Sequence, residues 1–271
     1  MTYLAVEGRK QIYFEHFAGT GTGIALVHGW AVESRCWDGV LPSLLATGRP
    51  VITIDQRCCG RSDRDFADVS ISALAADVVG VVEHLGLSRI VLNGWSLGGA
   101  VAVAAAVALG STLAGLALTG AATPRYTRAA DFPHGGTVED VQGTIAGIAA
   151  DRATTFEGVA GAVFARPQSP AQLKFMAEMF MASSPRAYAT LLDLATLDQR
   201  SLLPRIGAPT LLLHGADDLF VPLATARAAA ALLPSATLSV YPDCGHAPFI
   251  EAQARYAGEL TSFLAQCQQQ P

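Results

Sequence analysis

The sequence predicts an α/β fold, a mostly parallel sheet covered by helices on both faces, and three observations predict it. Short β-rich apolar runs alternate with stretches of helical spacing along most of the chain, the pattern of strands joined by crossover helices. The run Ile90-Val91-Leu92 feeds Asn93-Gly94-Trp95-Ser96-Leu97-Gly98-Gly99 and then an alanine and valine tract, which reads as strand, sharp turn and buried helix. No charged residue occurs from Ile90 to Pro124, yet glycines at 94, 98, 99, 110, 115 and 120 divide the run. It therefore reads as strand, helix and strand inside a sheet rather than as a membrane span of ~20 apolar residues.

In chain order, residues 2–6 and 11–17 flank Gly8 as an N-terminal hairpin. Ile24-Ala25-Leu26-Val27 is a buried third strand ending in His28-Gly29-Trp30, and Cys36 to Leu45 has helical spacing. Val51-Ile52-Thr53-Ile54 is a fourth strand, followed by Asp55-Gln56-Arg57 and the loop Cys58-Cys59-Gly60-Arg61-Ser62-Asp63. A helix is predicted from about Ser72 to Leu85, stopped by Gly86, then strand 89–93, helix 97–109 and strand 115–119. The alternation lapses between Ala122 and Arg205. Prolines at 124, 133, 167, 170 and 185 and an apolar stripe of Phe156, Phe164, Phe175, Met176, Met179, Phe180 and Met181 predict an insertion of short helices over the sheet. The expected organisation is a core of residues 1–121 and 206–271 with a helical lid, 122–205, whose stripe reads first as core and second as substrate contact. The alternation resumes with strand Thr210 to Leu213, a helix near 223–233, strand Thr237 to Tyr241, the loop Pro242-Asp243-Cys244-Gly245-His246 and a helix from about Ala252 to Ala265. Only Gln268-Gln269-Gln270 is low in complexity.

Composition narrows the function. At 271 residues, 51% hydrophobic and 15% charged, the chain can bury a substantial core, which excludes disorder. Its net charge of −5, with 18 basic against 23 acidic residues and no basic run, argues against nucleic acid and for a small neutral substrate. Cys36, Cys58, Cys59, Cys244 and Cys267 are odd in number and lack metal-ligand spacing, so free thiols in a reducing compartment are expected. Glu7, Arg9, Lys10, Glu15 and His16 leave no signal-peptide pattern in the first twenty residues, which predicts a cytoplasmic protein.

The chemistry centres on Ser96. In a Gly-x-Ser-x-Gly elbow the hydroxyl is exposed at the tip of a strained turn, and glycines stand where a side chain would collide. A serine hydroxyl needs a base, and the base an orienting acid. Asp217 and Asp218 follow the strand at 210–214 and His246 follows the strand at 237–241, so all would lie with Ser96 along the carboxyl edge of the sheet. Charge alone leaves both acids open. His16 and His84 read as structural or surface groups and His214 as a support of the acid loop, while His134 is a minor pocket candidate.

From about residue 3 to 265 the chain resembles the α/β-hydrolase family. The resemblance rests on His28-Gly29-Trp30, Asp55-x-Arg57-x-x-Gly60-x-Ser62, the elbow at Ser96, Gly215-x-x-Asp218-x-x-Val221-Pro222 and Gly245-His246-x-Pro248, in that order. It implies an eight-stranded sheet with an inserted lid and the triad Ser96, Asp218, His246, with Asp217 a neighbour. It also implies oxyanion donors at Trp30 and Leu97, substrate contacts at Trp30, Tyr126, Phe220 and Val221, and no cofactor or metal. The chain is most similar to small bacterial carboxylesterases and arylesterases related to cofactor-free haloperoxidases, and it also resembles the methyl-esterase of biotin synthesis. The implied activity is hydrolysis of a small carboxylic ester through an acyl-enzyme. Lactonase, carbon–carbon bond hydrolase and perhydrolase activities stay open on the same residues, as does, from another class, a ligand receptor with little turnover. Two departures matter: Cys58 replaces the first glycine of the family's Arg-Gly-x-Gly loop, and Ala31 replaces the proline of strong perhydrolases, which favours ester hydrolysis. Whether the chain forms a homo-oligomer stays open.

Overall fold

The computed structural model describes residues 2–268, so Gln269 and Gln270 of the low-complexity stretch lie outside the described residues. Strands β1 (Thr2–Glu7) and β2 (Lys10–Phe17) form the N-terminal hairpin. They are followed by β3 (Gly23–Val27), β4 (Val51–Asp55), β5 (Ile90–Trp95), β6 (Leu113–Thr119), β7 (Thr210–Gly215) and β8 (Ala236–Tyr241). Together they make one eight-stranded sheet in the order β1-β2-β4-β3-β5-β6-β7-β8, antiparallel at β1, β2 and β4 and parallel elsewhere. Every residue of β3 to β7 is buried, which is why these strands are apolar runs without alternation. From β3 the chain steps to one side into β4, then crosses back to β5 on the other side. Such a reversal opens a crevice at the carboxyl ends of the strands.

Helices α1 (Leu41–Leu45), α2 (Ile71–His84) and α3 (Leu97–Leu109) precede the insertion. The charge-free run from Ile90 resolves into β5, α3 and β6, and α3 is apolar on all sides because it lies between the sheet and α2. Among the described residues no helix is long and apolar enough to cross a membrane. The single helix expected from Cys36 to Leu45 is instead a 3-10 turn, Ser34–Trp37, and the short α1. Pro42 explains the restart, because a proline that donates no N–H is tolerated only in a first turn.

Between β6 and β7 lie α4 (Val138–Ala150), α5 (Arg152–Ala162), α6 (Pro170–Ala182) and α7 (Tyr188–Thr196). Side-chain caps set the starts of α4, α5 and α6: a Thr137/Asp140 capping box, Asp151 and Ser169. Phe156, Met176 and Met179 are core residues, whereas Met181 is 39% exposed. Then come α8 (Leu223–Leu232), α9 (Pro248–Glu251) and α10 (Gln253–Gln268), the last being the helix expected from about Ala252, with α9 a short turn ahead of it that was not expected.

Candidate active site

Ser96 stands where β5 turns into α3, with φ 56° and ψ −122°, a left-handed backbone that a non-glycine residue adopts only under constraint. The constraint is close packing. A Cβ on Gly94 would strike the Gly98 carbonyl, one on Gly98 the carbonyls of Val27 and His28, and one on Gly99 the Ala121 methyl. The Ser96 N–H donates to the Thr119 carbonyl at 3.0 Å, and the Ser96 carbonyl accepts from Ala122 N–H at 2.9 Å. Below the turn, Asn93 Nδ2 donates to the Tyr256 hydroxyl (3.0 Å) and the Thr119 hydroxyl donates to Asn93 Oδ1 (3.0 Å), a fully buried brace from α10.

Ser96 and His246 both line a cavity of about 420 Å³. His246 Nδ1 lies 2.7 Å from Asp218 Oδ2, while Asp218 Oδ1 accepts the N–H groups of Phe220 and Val221, both at 2.9 Å. An ionised carboxylate only accepts, so Nδ1 carries the ring proton and Nε2 is left as an acceptor. The ring sits beside Phe220 and Trp95, at centroid distances of 5.1 and 5.5 Å. Its backbone is tied by its own N–H to the Val163 carbonyl and by Trp95 Nε1 to its carbonyl, each at 2.8 Å. Gly120, at φ 47°, passes so close that a Cβ there would sit 3.2 Å from His246 Nδ1 and 3.3 Å from Asp218 Oδ2. His214 braces the acid loop with Nε2 2.7 Å from the Val221 carbonyl, whereas Asp217 is exposed.

Leu97 opens α3, so its N–H belongs to the first-turn donors that have no intrahelical acceptor. Trp30 lines the cavity, donates Nε1–H to the Ala187 carbonyl (2.9 Å) and packs on Phe156, Phe180 and Tyr188 at 6.1–6.3 Å between centroids, which ties the loop after β3 to the insertion. Tyr126 and Phe220 also line the cavity. Burial pushes the Tyr126 phenol up to about 12, so it stays a hydrogen-bond donor. Val221 differs from the expectation: it is 1% exposed and lies behind the wall, serving the Asp218 carboxylate through its N–H, while its neighbours Phe220 and Pro222 face the cavity. The insertion supplies lining that the sequence had not marked, Thr137, Asp140, Val141, Leu191 and Leu194 among it, and Phe180 of the predicted stripe. His134 packs on Phe132 instead. Cys58 takes φ 67°, the left-handed conformation a glycine would have supplied, and its carbonyl accepts Ser184 N–H at 2.8 Å. All five cysteines are free and buried. Among the described residues, no group of three or more His, Cys, Asp or Glu side chains could hold a metal ion.

His28 and His214, 0% and 1% exposed, are both held neutral by burial, which lowers them from their ordinary 6.5. The sign follows from proton binding. Below pH ~6.5 the unfolded chain takes up protons that these two folded histidines refuse, so stability falls with pH, by up to about 1.4 kcal/mol per pH unit for each. Urea unfolding at pH 5.5 is expected to give a lower free energy than at pH 7.5. An unchanged value would mean that both rings take up protons in the fold as readily as in the unfolded chain.

The model of the α/β hydrolase fold matches residues 24–253, and the chain belongs to that family. Among curated relatives it is 33% identical to a pimeloyl-[acyl-carrier protein] methyl ester esterase of Nitrosomonas europaea, over 86% of this chain and 91% of that one. It is 29% identical to a non-heme haloperoxidase of Rhodococcus erythropolis, over 97% and 99%. A solved esterase from Exiguobacterium antarcticum superposes with a TM-score of 0.94 at 26% identity, covering 97% of this chain and 99% of that one.

Proposed function

We propose that this chain hydrolyses small uncharged carboxylic esters through an acyl-enzyme on Ser96. The observation that carries the reading is the 2.7 Å His246–Asp218 pair, which leaves Nε2 as a base on the wall of the cavity that Ser96 also lines. In this reading Ser96 Oγ attacks the ester carbonyl and Nε2 takes its proton. The N–H groups of Leu97 and Trp30 receive the developing oxyanion, and His246 protonates the departing alkoxide. Water, activated by the same ring, then releases the acid. Residues 122–205 act as the lid and line much of the substrate space. The five buried, free thiols fit a reducing, cytoplasmic setting.

The absence of a charge in the substrate rests on the lining. Among the described lining residues there is no lysine or arginine, and Asp140 is the carboxylate. An anionic ester would be desolvated there without a countercharge. With the dimethyl and monomethyl esters of one eight-carbon diacid, kcat/KM is expected to favour the neutral diester by at least about 10-fold, roughly 1.4 kcal/mol, and Asp140→Asn to narrow the gap. Equal rates would remove charge from the account. A panel of p-nitrophenyl esters, methyl esters and lactones tests the reaction class, with p-nitrophenyl acetate turned over and activity confined to lactones counting against the proposal.

A further inference from the structure

The loop after β3 contains a buried histidine that the proposed chemistry does not use. His28 is fully buried, and its ring is bonded at both nitrogens. Gln56 N–H at the end of β4 donates to His28 Nε2 (2.9 Å), so the ring proton sits on Nδ1, which lies 2.8 Å from the Gly29 carbonyl oxygen and donates to it. The Gln56 side chain closes round the same residue, with Nε2 3.0 Å from Nδ1 and donating to the His28 carbonyl at 2.6 Å. That leaves Gln56 Oε1 buried without a partner, an arrangement stability alone would not favour.

The Gly29 carbonyl and the Trp30 N–H belong to one peptide group. In a trans peptide the two point in opposite directions. A carbonyl drawn inward to His28 therefore sends the Trp30 N–H outward, and Gly29 and Trp30 both line the cavity. A Cβ on Gly29 would lie 3.3 Å from Ser96 Cβ, so this peptide runs beside the serine. We propose that His28, held in one tautomer by the Gln56 N–H, is a positioning residue that fixes the plane of the Gly29–Trp30 peptide and thereby aims the Trp30 N–H at the oxyanion. Burial keeps the ring neutral, so the arrangement does not switch with protonation near neutral pH. The inference rests on the reading of Trp30 as an oxyanion donor.

Two substitutions separate aiming from packing. Asn places an amide N–H near the position of Nδ1 and can keep the bond to the Gly29 carbonyl, whereas Gln reaches toward the position of Nε2 and loses it. Each protein is assayed with a p-nitrophenyl oxoester and the matching thionoester, whose thiolate-like sulfur accepts hydrogen bonds poorly. The wild type is expected to prefer the oxoester. His28→Gln is expected to lower oxoester kcat about 10- to 100-fold, part of the 10²–10³ that loss of a whole oxyanion donor costs, with KM within about twofold and the oxo/thiono preference compressed by a similar factor. His28→Asn is expected to keep both near wild type. A wild-type preference that survives in His28→Gln, or is lost alike in both variants, overturns the role of His28 and leaves the oxyanion reading standing. A wild type with no oxoester preference overturns the oxyanion reading itself. If His28→Gln fails to fold, His28→Ala, which also removes the bond to the Gly29 carbonyl, takes its place: a compressed preference supports the proposal and a wild-type preference overturns it.

Discussion

Ser96→Ala is expected to abolish turnover of p-nitrophenyl acetate, a loss of at least about 10⁴-fold in kcat, with the thermal midpoint within a few degrees of wild type. The size follows from chemistry, because no bond to the acyl group can form without the hydroxyl. Unchanged stability follows from structure. The strained turn is held by the Ser96 N–H to Thr119 and the Ala122 N–H to the Ser96 carbonyl, both of which alanine keeps, and the same Cβ remains. Steady-state kinetics and a melting curve on one preparation check both parts. Turnover at wild-type rate would remove Ser96 from the mechanism.

Asp218→Asn is expected to lower kcat about 10⁴-fold while the loop stays folded. Asn can keep Oδ1 on the Phe220 and Val221 N–H groups, which hold that oxygen at 2.9 Å. Its amide nitrogen then faces His246 Nδ1 where a carboxylate oxygen stood. A donor there requires Nδ1 to accept, which moves the ring proton to Nε2, and a protonated Nε2 cannot take the serine proton. KM should change little, because Asp218 lies behind the histidine and is not part of the cavity lining. A decrease of less than about 10-fold would mean that the 2.7 Å contact orients nothing needed for the reaction.

Much of the sheet was legible because its signals are local and steric. The buried strands are apolar runs, and the bounds of α3 fall at 97 and 109 as expected, since Ser96 and Gly110 flank it with left-handed backbone that no helix continues through. The glycines around Ser96 were readable because each stands against another backbone or methyl group where a Cβ cannot fit. Beyond Trp30, Tyr126 and Phe220, the inner wall was not legible. An amphipathic helix has one period whether its stripe meets core or cavity. Met176 and Phe180 share a stripe of α6, yet the first is 0% exposed in the core and the second lines the cavity. Of the adjacent pair Phe220 and Val221, both expected at the cavity, only Phe220 lines it, because in an irregular loop neighbouring side chains face different ways without any period to tell which. The bond between Asn93 and Tyr256 spans 163 positions and leaves no local signal.

The proposed reaction depends on one activated hydroxyl, and labelling with a fluorophosphonate followed by intact-mass and peptide mapping tests this most directly. A single adduct on Ser96 is predicted, absent in Ser96→Ala and formed far more slowly in Asp218→Asn. A wild-type protein that stays unlabelled while folded, or that carries the adduct on another residue, would contradict it.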